Sequence, residues 1–504
     1  MSKNTPKNFI FTKFLLCAIL LLLQYPLFAD NFDFNPNVAK AYRAALSLRL
    51  DEAKTLTNTE HRANRNNLAA DFIDNYVDFF RIFVGENKAD FDRLAANKDY
   101  RLERIESLGD PASPYFLYTQ AQIRLQWAIA RIKFEEYVSA ALDIKKAAAL
   151  LEKNQKKFPD FMPNKASLGV LHAALGTIPD NYKWAADLAG MSGSVEQGRR
   201  EVEEVVRYAK KNDFLFEDEV LVMYSFLLLH VGNQQEEAWK SIKSAKLNTT
   251  QNPLACFVQA NVALNTGHTD DAIKILEKRP KSADFLPFHY LDYMLGFAKL
   301  CKGDADAKVF LASYVSNFKG ITYIKDCYEK LAWESLLNGN TNEYRTYMLL
   351  CRKQGKAVAE ADKKAQRDAE TGIMPNIILL RARLYFDGGF YTKAKTYLEQ
   401  FPSKTFVTPS DKLEYHYRLG RICDKSGDLL TAIQYFKTTV QDGRTLPYYY
   451  ACNAALQLGL VFEKQKNYIE SRSNYNLCLS LSPKEYKESL HQKAKAGLSR
   501  IKGK

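Results

Sequence analysis

From residue 216 onward a glycine stands repeatedly between two apolar, alanine-bearing stretches: Gly232, Gly267, Gly303, Gly339, Gly389 and Gly427, with Lys466-Asn467 filling a seventh slot. The intervals are 35, 36, 36, 50, 38 and 39 residues, room for two short helices and the turns that join them. A helix pair of this size cannot bury its apolar face alone, so neighbours must stack to supply the missing contacts. The pattern predicts an all-α solenoid of helix-turn-helix units. No period-two stretch stands out as a strand. Between Gly339 and Gly389 the charged stretch Lys356 to Glu370 adds about fourteen residues; it is expected to lengthen the flanking helices, with Gly372 and Pro375 marking the restart.

Residues around the glycines keep the same phase. Leu419-Gly420 permits close approach in a first helix, Gly427 makes the turn, and Ala432 with Phe436 packs the second helix back. Leu458-Gly459, Phe462, Tyr475 and Pro483 repeat the pattern. The unit around Gly389 keeps Ala382, Tyr385, Ala394 and Leu398, the one around Gly267 keeps Ala260, Ala272, Leu276 and Pro280, and the one around Gly303 keeps Leu295-Gly296. On these residues 216–485 resembles the tetratricopeptide repeat family. That resemblance implies a curved scaffold whose concave surface binds a protein or peptide.

Residues 30–215 read as helical but less regular, a degenerate part of the same array. Val38 to Thr57, Arg62 to Val84, Lys88 to Leu108, Pro114 to Phe134 and Tyr137 to Lys157 carry apolar residues at helical spacing. Leu50-Asp51-Glu52-Ala53 resembles the start of a second repeat helix. The stretch 161–198 departs from the array, with Gly169, Gly176, Pro179, Gly190, Gly193 and Gly198 beside Tyr182 and Trp184. It predicts short helices, Lys165 to Leu175 and Trp184 to Ala189, either lining a binding surface or turning a structural corner. This stretch resembles the tetratricopeptide branch that includes the eukaryotic inclusion-clearance proteins. Gly193 to Gly198 has the glycine spacing of a phosphate loop, but Arg199-Arg200 replaces the required Lys-Ser/Thr. A reciprocal capping box, Ser194 with Gln197, is expected to start a helix over Val195 to Lys211 instead.

Residues 1–29 have the pattern of an export signal: Lys3, Lys7 and Lys13 precede an apolar run from Phe14 to Leu23, and Ala29 offers a small residue at the cut. The run is short for a bilayer span. The reading is a protein exported to the periplasm or outer envelope, with no stable membrane span once the signal is removed. Those residues hold three lysines and no acid, so removing them lowers the net charge from +13 to +10. Basic and acidic residues are interspersed, which argues against a nucleic-acid partner. A cluster from Lys484 to Lys504 reads as a solvated capping helix over 486–504. Beyond Cys17, seven cysteines, an odd number without CxxC spacing, read as small core residues, although an oxidising compartment would allow one pair to cross-link.

Catalysis finds no footing. None of the seven histidines pairs at HxH or HxxxH spacing, and neither HExxH, a GxSxG elbow nor a papain-like cysteine signature occurs. His172 reads as a satisfied helix histidine. No catalytic, cofactor or metal residue is assigned, and no cofactor is expected. The reading is a non-enzymatic scaffold holding a protein or peptide in its groove, with Tyr224, Gln259, Tyr290, Tyr328, Arg381 and Tyr417 on the first helices as contact residues. The alternative is a glycan- or small-ligand-binding protein of envelope nutrient uptake, in which Tyr182 and Trp184 stack the ligand.

Overall fold

The computed structural model describes residues 31–176, 192–230 and 234–503. Among them are 24 α-helices, a short 3-10 turn at Ser403–Thr405 and no strand. The helices pack as hairpins. In the N-terminal half these are α1 (Pro36–Leu46) with α2 (Leu50–Ala63), α3 (Leu68–Gly85) with α4 (Lys88–Leu108), and α5 (Tyr115–Lys133) with α6 (Tyr137–Lys157). Next come α7 (Met162–Leu175) with α8 (Val195–Ala209), α9 (Glu217–His230) with α10 (Gln235–Ser244), and α11 (Pro253–Asn265) with α12 (Thr269–Glu277). Two more follow, α13 (Tyr290–Lys302) with α14 (Ala307–Asn317) and α15 (Ile324–Leu337) with α16 (Thr341–Lys353). After the unpaired α17 (Glu360–Thr371) stand α18 (Ile377–Asp387) with α19 (Tyr391–Leu398), α20 (Pro409–Lys425) with α21 (Leu429–Gly443), and α22 (Tyr450–Lys464) with α23 (Tyr468–Ser480). Helix α24 (Lys487–Arg500) closes the stack.

One turn builds most of these hairpins. Gly267, Gly303, Gly339, Gly389 and Gly427 all have φ between +77° and +89° and sit at helix ends, and each is followed by an amide that reaches back five residues. His268 N donates to Ala263 O at 2.8 Å, and Asp304 N to Lys299 O, Asn340 N to Ser335 O, Phe390 N to Tyr385 O and Asp428 N to Cys423 O, each at 2.9 Å. This is the six-to-one bond of a Schellman motif, which satisfies a carbonyl that the helix end leaves open. The same bond follows Lys466, Leu48 and Glu135, which hold φ of +60°, +59° and +63° without being glycine. The repeat turn therefore also occurs in the N-terminal half. Val38 to Thr57 is not one helix, because Leu48 breaks it. The next helix starts at Leu68 rather than Arg62, where the Asn67 side chain accepts from Ala69 N.

Within a hairpin the small residues set the approach. A Cβ at Gly459 would lie 2.5 Å from the Tyr475 ring, so only glycine lets α22 and α23 meet there. Gly169 and Gly198 do the same for α7 and α8, since a Cβ on Gly198 would stand 2.1 Å from Gly169 O. Ser194 caps α8 through Gln197 N at 3.1 Å, but the capping box is only half formed. The Gln197 amide turns instead to His172 Nδ1 at 3.0 Å and Glu201 Oε1 at 3.1 Å. Trp184 to Ala189 lies outside the described residues. All seven cysteines from Cys256 to Cys478 are buried thiols, and the sulfurs of Cys452 and Cys478 stand 3.6 Å apart.

The charged stretch 356–370 forms a helix of its own, α17, rather than extending its neighbours. Its Asp362 carboxylate accepts from Tyr323 N at 2.7 Å and Asp326 N at 3.1 Å, and so caps α15 from outside.

The stack curls until distant units touch. Glu86, just past α3, accepts from Ile321 N at 2.9 Å, Thr322 N at 2.8 Å and the Thr322 hydroxyl at 2.7 Å, and pairs with Lys133. Burial opposes its ionisation, yet Lys133 and Thr322 hold its carboxyl below the usual range. Leu286 N donates to Leu48 O at 2.8 Å. Lys425, at the end of α20, donates to Gln235, at the start of α10, at 3.4 Å.

Two outcomes follow from these local structures. Lys466→Gly, at an exposed left-handed position, should raise stability by about 1 kcal/mol in urea unfolding; no gain would mean that the turn is not strained. Burial raises Asp362 to about 6, above the ordinary aspartate value of about 3.9. Its charged form costs stability at neutral pH, and the cost is relieved as pH falls through about 6 and is gone below about 4. The stability of the protein relative to Asp362→Asn should therefore rise by about 2–3 kcal/mol from pH 7 to pH 4, and a flat or falling difference would contradict the assignment.

Candidate binding site in the concave interior

First helices of successive hairpins touch one another, α1 with α3, α3 with α5, α7 with α9, and α9 with α11. Their inner faces enclose a cavity of about 460 Å³, within the roughly 300–1,000 Å³ typical of ligand clefts. Hydrocarbon dominates its wall: Phe79 and Phe80 from α3, Leu125 and Ile129 from α5, Val222 and Phe226 from α9, and Phe257 from α11. At its mouth Ile129 is 45% exposed, and on the same α5–α6 hairpin Ile132, Tyr137, Val138 and Leu142 are also exposed.

One side of the cavity is polar. The Glu219 carboxylate, in the first turn of α9, accepts from Tyr42 Oη at 2.7 Å and from Tyr76 Oη at 3.0 and 3.1 Å. Burial raises its pKa, against the two tyrosine bonds. The same burial, together with the Glu219 charge, raises both tyrosines well above their ordinary value. Asp218 also lines the cavity and is raised by burial. Gln126 Oε1 accepts a hydrogen bond from the Asn75 side-chain amide at 2.7 Å, and Gln122 donates to Ser167.

Among the residues expected from sequence to contact a partner, Tyr182 and Trp184 lie outside the described residues. The other six fall on six different hairpins. Tyr224 and Tyr417, expected among the contact residues, are buried and so present little surface to a partner. Tyr224 donates to Glu237 at 3.2 Å across to α10, and Tyr417 Oη accepts from Arg421 at 2.8 Å and Asn453 at 2.7 Å, so packing uses both rings. Tyr290 is half-buried and stacks on Tyr293 at 5.2 Å. Gln259 and Tyr328 are half-buried on α11 and α15. Arg381 lies over the Tyr385 ring at 5.8 Å, beside Gly303. Sequence reasoning missed Tyr42, Tyr76 and Glu219; the two tyrosines stand 177 and 143 residues from the carboxylate and reach it only through the curl.

A second cleft, of about 340 Å³, holds His172, whose Nδ1 is 2.6 Å from Glu201 Oε2. Among the described residues no group of three or more His, Cys, Asp or Glu side chains is placed to hold a metal, and no helix is long and apolar enough to cross a membrane.

The family model for the tetratricopeptide repeat matches residues 413–439 and 453–485, which span α20–α21 and α22–α23. A comparison with curated proteins found no match. Among solved structures, the human IFIT1 dimer with PPP-AAAA is similar at 13% identity, over 94% of this chain and 91% of that one, with a TM-score of 0.29. The IFIT1 dimer with m7Gppp-AAAA is similar at 14% identity over 89% and 91%, also with a TM-score of 0.29. The P58(IPK) tetratricopeptide domain is similar at 15% identity over 82% of this chain and 97% of that one, with a TM-score of 0.23. At such TM-scores the likeness says nothing of what this chain binds. The matched segments are repeats of the tetratricopeptide type, the hairpin turn they share recurs through the rest of the array, and repeats of this kind suggest a protein-interaction scaffold.

Proposed function

We propose that the protein is a non-enzymatic scaffold that holds an apolar segment of a protein partner in its concave interior. The observation that supports this reading is the cavity of about 460 Å³ opening beside the exposed apolar side chains of α5–α6. Ile129 both lines the cavity and is 45% exposed, so its apolar surface reaches solvent, and exposed apolar surface beside a cavity marks a place where another molecule binds. An extended apolar mouth suits a polypeptide better than a sugar, which needs paired donors and acceptors along the wall. An exported setting is part of the proposal and rests on the pattern of residues 1–29 alone.

A photo-reactive phenylalanine analogue at Ile129 should cross-link a protein partner, whereas the same group at Ile469, 83% exposed on a second helix, should not. Equal cross-linking at the two positions, or at Ile469 alone, would count against the concave site. Filling the cavity with Val222→Trp should abolish the Ile129 product.

A further inference from the structure

Several charged side chains in the stack have an opposite charge beside them. Lys330 lies between Asp326 at 2.8 Å and Glu329 at 2.7 Å, Arg383 meets Asp387 at 3.4 Å, Arg418 pairs with Glu414, and Glu86 has Lys133. Glu219, like Asp362, has no such partner among the described residues, but unlike Asp362 it lines the cavity. Its hydrogen bonds come from Tyr42 and Tyr76, and it makes no ion pair among the described residues. Asp218 beside it makes none either, and the cation that acts on it from a distance is Arg43. A carboxylate offers about four lone-pair positions, and two hydroxyls supply only two protons. Acceptor capacity therefore remains on the cavity wall.

Such a wall discriminates between occupants. A purely hydrocarbon occupant would strip water from Glu219 and give nothing back, an uncompensated cost. A lysine or arginine supplies a cation on a long aliphatic stem, and the stem suits the apolar wall beside the carboxylate. Ile129 lines the cavity and is also exposed, and further exposed apolar side chains stand on the same α5–α6 hairpin, so the apolar surface on offer exceeds the size of a single small amine. We infer that the cavity takes a partner segment in which one lysine or arginine stands among apolar side chains, its cation meeting Glu219. This rests on the scaffold reading above and adds the chemistry of the partner.

The experiment uses the full chain and two labelled amphipathic peptides of leucine, alanine and glutamine. One carries a single lysine in the middle of its apolar face and the other norleucine at that position. Fluorescence anisotropy with the unmodified protein should show the lysine peptide binding about tenfold tighter, although norleucine is the more apolar side chain. Glu219→Gln should remove or reverse that preference. Should Glu219→Gln fail to fold, as judged by circular dichroism, the wild-type comparison still decides. Norleucine binding as tightly as lysine, or octylamine binding where neither peptide does, overturns the inference. If neither peptide binds but Ile129 still cross-links a partner and Val222→Trp abolishes it, the scaffold reading stands and this inference falls. If Ile129 cross-linking fails as well, both fall.

Discussion

A hairpin of two short helices leaves an apolar face open to water, and in this chain each such face is covered by the hairpin that follows. The recurring turn makes this possible. One residue in the left-handed region and one amide reaching back five positions reverse the chain the same way at eight sites, from Leu48 to Lys466. Where the turn recurs, first helices of successive hairpins land against one another, and small residues such as Gly459 and Gly198 let the second helices close in. Stability in such a stack is shared between neighbours, so no hairpin is expected to hold its shape alone.

Curvature then determines what the interior is. The stack turns tightly enough for Glu86 to cap the amides of Ile321 and Thr322, and for Tyr42 and Tyr76 to bind Glu219. These contacts join segments far apart in the chain, and the tyrosine bonds to Glu219 give the cavity its polar side. Toward the C-terminus the interior is filled with mutually paired charges around Trp333, with Lys330 at 4.0 Å and Arg383 at 4.9 Å from its ring. Nearer the N-terminus hydrocarbon dominates and a carboxylate lacks a cation. The two regions share an architecture and differ in chemistry, and the N-terminal one opens as an apolar cavity with a carboxylate in its wall.

Much of the architecture was legible because glycine marks it. Gly267, Gly303, Gly339, Gly389 and Gly427 stand at the turns since no other residue takes positive φ so cheaply. Where Leu48 and Glu135 hold the same conformation the signal vanishes, and periodicity alone ran the first helix through the turn. The stretch 356–370 was misread for a related reason. Its charge pattern fits any wet helix, and only the tertiary contact of Asp362 with the start of α15 shows why it is a separate one. The binding surface was least legible. Register put Tyr224 and Tyr417 on first helices, but it does not say which face a ring takes, and both are consumed by packing. Glu219 sits in an acidic first turn, Glu217-Asp218-Glu219, of the kind that ordinarily complements a helix dipole. Nothing local separates it from its neighbours, because its tyrosine partners arrive through the curl.

Closure of the stack on itself is the central claim, and amide hydrogen exchange at Ile321 and Thr322 tests it most directly. Both amides donate to Glu86, 235 and 236 residues away in sequence. Followed by mass spectrometry on short peptides, they should exchange slowly in the intact protein and speed up in Glu86→Ala, while helices remote from that contact keep their rates. Fast exchange in the intact protein, or exchange indifferent to Glu86→Ala, would mean that the curl does not close and that the enclosed interior does not exist as described.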